Sequence, residues 1–259
     1  MTNSFTHRTL LGKSVHRYGL SASYGIDEAG VREAVDLGVN YFFWNPRNKH
    51  ITNVVKDVVA KDRERFVLAT GPTLGYFGGS VRRAAERALR KSGSDYIDVF
   101  QVFWAGKMSA LTEAVVGELV KLREEGKVRR IGVSIHDRKR AAKLAAEGPL
   151  DFFMIRYNAA HPGAEVDIFP HLPEKKPLIA AYTATCWTKL LKPPKGWQGP
   201  AATAGDCFRF CLTNSNVDLV ISAPKTAAQL RENLTALERG PLAEDEMAHM
   251  RALGKAVHG

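Results

Sequence analysis

Cysteine is scarce in this chain: Cys186, Cys207 and Cys211 are the only three. So few, odd in number and without a CxxC pair, they exclude a disulfide framework and form no recognisable zinc set, so reduced and mostly buried thiols are expected and no metal centre. Long apolar runs are also missing. No segment approaches the length needed to cross a bilayer, and the opening MTNSFTHRTLLGKSVHRYG lacks the uninterrupted apolar core of a signal peptide, which gives the expectation of a cytoplasmic protein with no membrane partner. No linker-like stretch divides the sequence, so residues 1–259 read as a single domain. The glycine-rich turn of a doubly wound dinucleotide fold is absent as well, because GYFGGS at Gly75–Ser80 does not fit GxGxxG in register.

Acidic residues are outnumbered, 27 Asp and Glu against 37 Lys and Arg, for a formal charge of +10. The basic side chains are spread along amphipathic helical segments (Arg82, Arg83, Arg87 and Arg90 in one, Arg138, Lys139, Arg140 and Lys143 in another) and do not form a tail or one aromatic-interleaved patch. That distribution argues against a nucleic-acid partner and for solvated helix faces whose summed field draws in small anionic ligands. Oligomeric state is not legible in it.

What is present is a regular alternation. Apolar strand patterns at 18–22, 40–44, 66–70, 97–103, 130–134, 152–157, 177–183 and 217–222 are each followed by a helical or capping pattern, with Asp27 placed to cap the first helix and Gly38 to end it. Eight such units predict an α/β protein of the (β/α)₈ TIM barrel type, whose chemistry lies at the C-terminal ends of the strands.

At one such end stands the densest polar group of the chain, in DFFMIRYNAAHPGAEVDIF from Asp151 to Phe169. Arg156, two residues beyond Met154 on the same strand face, points to the mouth; it pairs with Glu165 or Asp167, or waits for an anionic or carbonyl group of a substrate. His161 can pair with Glu165, and His136, leaving the neighbouring strand, can exchange protons near neutral pH or cap a helix with Asp137. Arg156, His136 and His161 are the candidate catalytic residues, with Tyr76 a further candidate. Trp44, Phe103, Trp104 and Trp187 would line an apolar mouth, or serve as core and wall.

Several segments, in order and over nearly the whole chain, resemble the aldo-keto reductase family: HRTLLGKSVHRYGLSASYG, DLGVNYFFW, SGSDYIDVFQVFW, EEGKVRRIGVS, RYN, AAYTA and VDLVISAPKTAAQLRENL. The resemblance implies the same barrel and a nicotinamide cofactor, NADP(H), held without a Rossmann domain. It sets Tyr182 on the nicotinamide ring, Ser134 on its carboxamide, Thr183 (with Thr185 and Lys189) near the pyrophosphate, and Lys225, Gln229 and Asn233 at the 2′-phosphate and adenine. It also implies a departure. The family's aspartate, tyrosine, lysine and histidine tetrad falls on Phe43, Asn48, Gly71 and Phe103, so the sequence resembles a divergent subgroup with a rebuilt proton relay. Three readings stay open on these residues: an NADP(H)-dependent oxidoreductase acting on a hydrophobic carbonyl or unsaturated small molecule, a non-redox cyclase, isomerase or lyase in the same pocket, and a non-catalytic NADP(H)-binding sensor.

Overall fold

In the computed structural model, which describes residues 4–72, 75, 77–105 and 110–258, eight parallel strands close on themselves. They are β3 (Tyr18–Leu20), β4 (Tyr41–Phe43), β5 (Val67–Thr70), β6 (Ile97–Ala105), β7 (Val128–Ile135), β8 (Phe152–Arg156), β9 (Leu178–Tyr182) and β10 (Leu219–Ser222), with β10 pairing back to β3. The predicted (β/α)₈ barrel is the fold.

Two elements precede the barrel that the strand count omitted. Strands β1 (His7–Leu10) and β2 (Lys13–His16) form an antiparallel hairpin whose two-residue turn, Leu11 and Gly12, has φ of 58° and 77°. Both angles lie in the left-handed region that matches the twist of a tight hairpin. Leu10 and Val15 of the hairpin belong to the same apolar cluster as Tyr41, Val67, Val99, Phe152 and Leu219, so the hairpin closes the barrel's N-terminal end.

Around the strands run α1 (Glu28–Asp36), α2 (Lys49–Val54, continuing into a wider π turn at Val55–Val59), α3 (Gly78–Ser92), α4 (Glu113–Glu124), α5 (Arg138–Glu147), α6 (Ala164–Asp167), α7 (Ala204–Thr213), α8 (Ala227–Glu238) and α9 (Glu244–His258). Asp27 caps α1 as predicted, accepting from the Gly30 amide at 2.9 Å, and Gly38 follows the helix at φ 90°. The second helix starts at Lys49, where the Asn48 side chain accepts the amides of His50 and Ile51. No full helix follows β8: α6 is one turn, and α9 supplies cover there. A Cβ on Gly254 of α9 would stand 2.1 Å from the Ala159 carbonyl, so that helix lies directly on the loop after β8. No helix among the described residues is long and apolar enough to cross a membrane.

Candidate active site

Strand alternation sorts the C-terminal end of the barrel. Phe152 and Met154 of β8 face the interior cluster with Leu178, Ala180 and Tyr182 of β9. The register pairs Ser134 with Met154, Met154 with Ala180, and Arg156 with Tyr182. His136 lies one residue past the Ile135–Ile155 pair, so His136, Arg156 and Tyr182 end three neighbouring strands at one height.

Two of these side chains are bonded. The Tyr182 hydroxyl stands 3.0 Å from Nε2 and 3.2 Å from Nδ1 of His136, a contact that joins β7 to β9 across the strand between them. The rings meet edge to face with centroids 5.8 Å apart. Burial pushes the Tyr182 pKa up to about 12, opposed by the Arg156 guanidinium and by the nearby Ser134 hydroxyl. At neutral pH the phenol therefore keeps its proton. It can donate to an unprotonated ring nitrogen or accept from an N–H, so the contact survives either protonation state of the imidazole.

Arg156 takes neither of the partners predicted for it. Glu165 accepts from the Tyr157 hydroxyl at 2.7 Å and from Arg251 of α9 at 3.1 Å, and Asp167 binds Arg138 at 2.5 Å. Among the described residues Arg156 has no carboxylate within ion-pair distance and no hydrogen-bonded acceptor; its guanidinium lies 5.9 Å over the Trp187 ring. The reason is directional. Tyr157 and Glu165 face outward onto the C-terminal helix while Arg156 faces the mouth, as alternation along a strand requires.

His161 does not pair with Glu165 either. Its Nδ1 is 3.2 Å from Asn158 Oδ1 and 3.6 Å from Cys186 Sγ, and its ring meets His258 and Trp187 edge to face at 5.0 and 6.3 Å. Burial first, then the charges of Arg156, His258, Lys189 and Arg138, holds its pKa down to about 4. It is neutral at pH 7 and sits behind Trp187, beside the trio at the strand ends and not within it. The loop carrying Trp187 is strained: Thr183, Cys186, Trp187 and Thr188 all have φ between 50° and 69°. Left-handed non-glycine residues cost about 1–3 kcal/mol each and gather at functional sites. Trp187 and Trp104 (φ 49°) are 53% and 44% exposed beside this end, but Trp44 is not part of the mouth: it is buried behind β4 with its indole N–H on Thr52 Oγ1. Tyr76 lies outside the described residues.

The model of the aldo/keto reductase family matches residues 25–185, more than half of the chain. The chain belongs to this family. Among curated aldo-keto reductase relatives, it is 28% identical over 134 residues to aldo-keto reductase YhdN of Bacillus subtilis (48% of this chain, 40% of that protein). It is 28% identical over 179 residues to methylglyoxal reductase YeaE (68% and 57%) and 26% identical over 214 residues to the NADH-specific methylglyoxal reductase (69% and 65%), both of Escherichia coli. The matches thus span about 40 to 65% of these relatives' lengths. Two solved structures share the fold over nearly the whole chain: aldo-keto reductase AKR11C1 from Bacillus halodurans in its holo form (TM-score 0.80, 19% identity, 97% of each chain) and an aldo/keto reductase from Klebsiella pneumoniae in complex with NADP and acetate (TM-score 0.75, 21% identity, 93% of this chain and 92% of that one).

Phe43, Asn48, Gly71 and Phe103, the positions that the sequence resemblance sets against the family's tetrad, have these surroundings. Phe43 and Phe103 pack edge to face at 5.5 Å at the ends of β4 and β6. Gly71 abuts the next strand so closely that a Cβ would lie 1.7 Å from the Gln101 carbonyl, leaving no room for any side chain. Asn48 is occupied with its helix cap and donates its amide to the Ala22 carbonyl at 2.7 Å.

The cofactor candidates divide between two places. Ser134 and Tyr182 are inside the barrel end; Thr183 follows, its hydroxyl turned back onto the Tyr182 carbonyl at 2.7 Å. Lys225 is exposed before α8, where Thr226 caps the helix and Gln229 accepts the Lys225 amide at 2.8 Å. Asn233 is buried, donating to the Tyr18 hydroxyl at 3.1 Å. One residue went unnoticed in the sequence. Gln101 on β6 is fully buried, and among the described residues neither its amide nitrogen nor its oxygen has a partner; the Ser134 hydroxyl, close to the Tyr182 phenol, also lacks one in hydrogen-bond geometry. Buried amides are nearly always satisfied, so a glutamine in the middle of the apolar run VFQVF was itself a signal. Among the described residues no three His, Cys, Asp or Glu side chains form a metal-sized group.

Proposed function

We propose that the protein is an NADP(H)-dependent oxidoreductase that reduces a hydrophobic small-molecule carbonyl or unsaturated compound, with His136 as its proton donor. The observation that carries this reading is the Tyr182–His136 hydrogen bond beside Arg156 at the C-terminal end of the barrel. The family supplies the reaction type, since its structural relatives include an NADP complex. The Ser134 hydroxyl and Gln101 amide below that end suit an inserted polar group such as a carboxamide, and Lys225 with the N-terminus of α8 suits a phosphate.

When bound, the reduced nicotinamide supplies a hydride. The residues of this chain supply the rest. Tyr182 borders the cofactor ring and, through its hydroxyl, holds the His136 imidazole. His136 delivers a proton to the substrate oxygen and is reprotonated from solvent. Arg156 polarises and orients the substrate. Phe43, Phe103, Trp104 and Trp187 favour an apolar body on the ligand. This relay stands in for the tetrad, whose positions are filled by Phe43, Asn48, Gly71 and Phe103.

Titration of the purified protein with each nucleotide tests the reading. NADPH is expected to bind more tightly than NADH, and Lys225→Ala to remove much of that preference by deleting the cation for the 2′-phosphate. Equal binding of both nucleotides before and after the substitution, or binding of neither, would sink the cofactor assignment. Turnover that consumes no NADPH would favour the non-redox reading instead.

A further inference from the structure

We propose that Arg156 is a carboxylate-binding residue and that the substrates of this site are 2-oxo acids with an apolar side chain, reduced to 2-hydroxy acids. The proposal rests on the oxidoreductase reading above and adds the substrate class. Its first support is a contrast within the molecule. Every other arginine that is not solvent-exposed has an oxygen acceptor: Arg17 binds backbone carbonyls, Arg8 binds Asp218, Arg32 binds Glu28, Arg63 binds Asp98, Arg82 binds Glu118, Arg123 binds Asp151 and Arg209 binds Glu246. Arg156 alone among the described residues of this kind has only a tryptophan face. Arg156 is half-buried, so part of its guanidinium lies away from water without a protein acceptor, which is costly, and Glu165 and Asp167 on the segment that follows are held by other cations. An acceptor brought by the ligand resolves this, and a planar fork of donors suits a carboxylate better than a lone carbonyl.

The second support is the sign of the surroundings. The charges that act on His161 and Cys186, behind Trp187, are those of Arg156, Lys189, Arg138 and His258, all cationic or protonatable, and no carboxylate is among them. With a formal charge of +10 on the whole chain, the site attracts anions.

Register gives the spacing. Arg156 sits between His136 and Tyr182, one strand from each, and neighbouring strands lie about 4.8 Å apart. A ligand whose carboxylate and reacting carbonyl are on adjacent carbons reaches Arg156 and His136 together. The carbonyl carbon gains a hydride from the reduced nicotinamide and its oxygen gains the His136 proton, so the C=O π bond is lost, the 2-oxo acid is reduced and the nicotinamide is oxidised. The carboxylate stays on Arg156 throughout.

The test compares phenylpyruvate with its uncharged methyl ester, by calorimetry on the full chain without nucleotide and then by NADPH oxidation. The acid is expected to bind about 10- to 100-fold more tightly than the ester, the range for hydrogen bonds to a charged group. Arg156→Met should remove that difference by weakening the acid far more than the ester, and Arg156→Lys should restore part of it. Equal affinity for acid and ester in the parent protein would overturn the proposal without recourse to any variant. So would an Arg156→Met protein, still folded by circular dichroism, that keeps the difference. Reduction of the ester as fast as the acid would remove the substrate class and leave the oxidoreductase reading standing. An Arg156-dependent preference for the acid with no NADPH oxidation would uphold the carboxylate site and remove the oxidoreductase reading.

Discussion

At the scale of single residues, the consequence of the Tyr182–His136 bond can be separated from its mere presence. His136→Ala removes the proposed donor, and positioned acid catalysis contributes about 10²- to 10⁴-fold, so turnover should fall by that much while the melting temperature stays within a few degrees. Tyr182→Phe keeps the ring but deletes the hydroxyl that holds the imidazole. Its expected mark is a displaced pH–rate profile with a smaller loss in kcat; a profile identical to the parent's would remove Tyr182 from the relay. Other histidines, His16 and His161, make stability depend on pH. His16 is buried in the hairpin beneath the barrel, where Nδ1 accepts the Tyr18 amide at 3.0 Å, and burial together with the neighbouring His7 lowers its pKa from 6.5 to about 4. Between those values the unfolded chain binds the proton and the native one does not. Stability from this residue is therefore complete above pH 6.5 and falls as pH drops towards 4, by about 3 kcal/mol in all. His16→Asn offers an acceptor that does not titrate, so its denaturant midpoint should change less between pH 7 and pH 4.5 than the parent's. An unchanged pH slope would show that another group controls acid lability.

Elements explain why the fold was easier to read than the site. The eight strands and most of the helices after them were legible because alternation of apolar runs and caps is a local property, visible at Asp27. The hairpin was not, since His7–Leu10 and Lys13–His16 are short and only their packing under Tyr41 and Phe152 makes them strands. In the site, alternation on β8 puts Arg156 on the same strand face as Met154, whereas its partner was misread because sequence nearness placed Glu165 and Asp167 beside it. Their cations come from Arg251, 86 residues away, and Arg138, 29 residues away. Helix α9, which provides Arg251, is held against the loop after β8 at Gly254, where a Cβ would press on the Ala159 carbonyl. Gly254→Ala should thus lift the helix or strain it at a cost of about 1–3 kcal/mol, the range for overpacking. Because the displaced loop also carries His161 against Trp187, tryptophan emission should shift together with the loss in melting temperature. A stable variant with parent-like emission would mean that the contact relaxes freely.

For the molecule as a whole, closure of the barrel joins the two ends of the chain, and one residue concentrates that junction. Arg17, buried before β3, donates through Nε to the Asp218 carbonyl at 2.9 Å, through Nη1 to Phe5 at 3.1 Å, and through Nη2 to Leu212 at 3.1 Å and Val217 at 2.6 Å. Its own backbone carbonyl accepts the Val220 amide, extending the β10–β3 ladder. Desolvation, with Arg8 adding to it, lowers its pKa to about 10, which still leaves it charged at neutral pH. A buried cation that satisfies carbonyls on both sides of the seam ties the stability of the first strand to that of the last. The barrel should therefore unfold as one unit, with no half-barrel intermediate and no stable half-size fragment on limited proteolysis. Arg17→Met leaves those carbonyls without their donor and should cost about 3–5 kcal/mol, the range seen when one member of a buried polar set is removed. If the seam is part of a single cooperative structure, the denaturant midpoint falls while the slope of the transition is unchanged. A shallower or two-step transition in the variant, with part of the chain still protected, would show instead that the two ends of the barrel are stable independently of the seam.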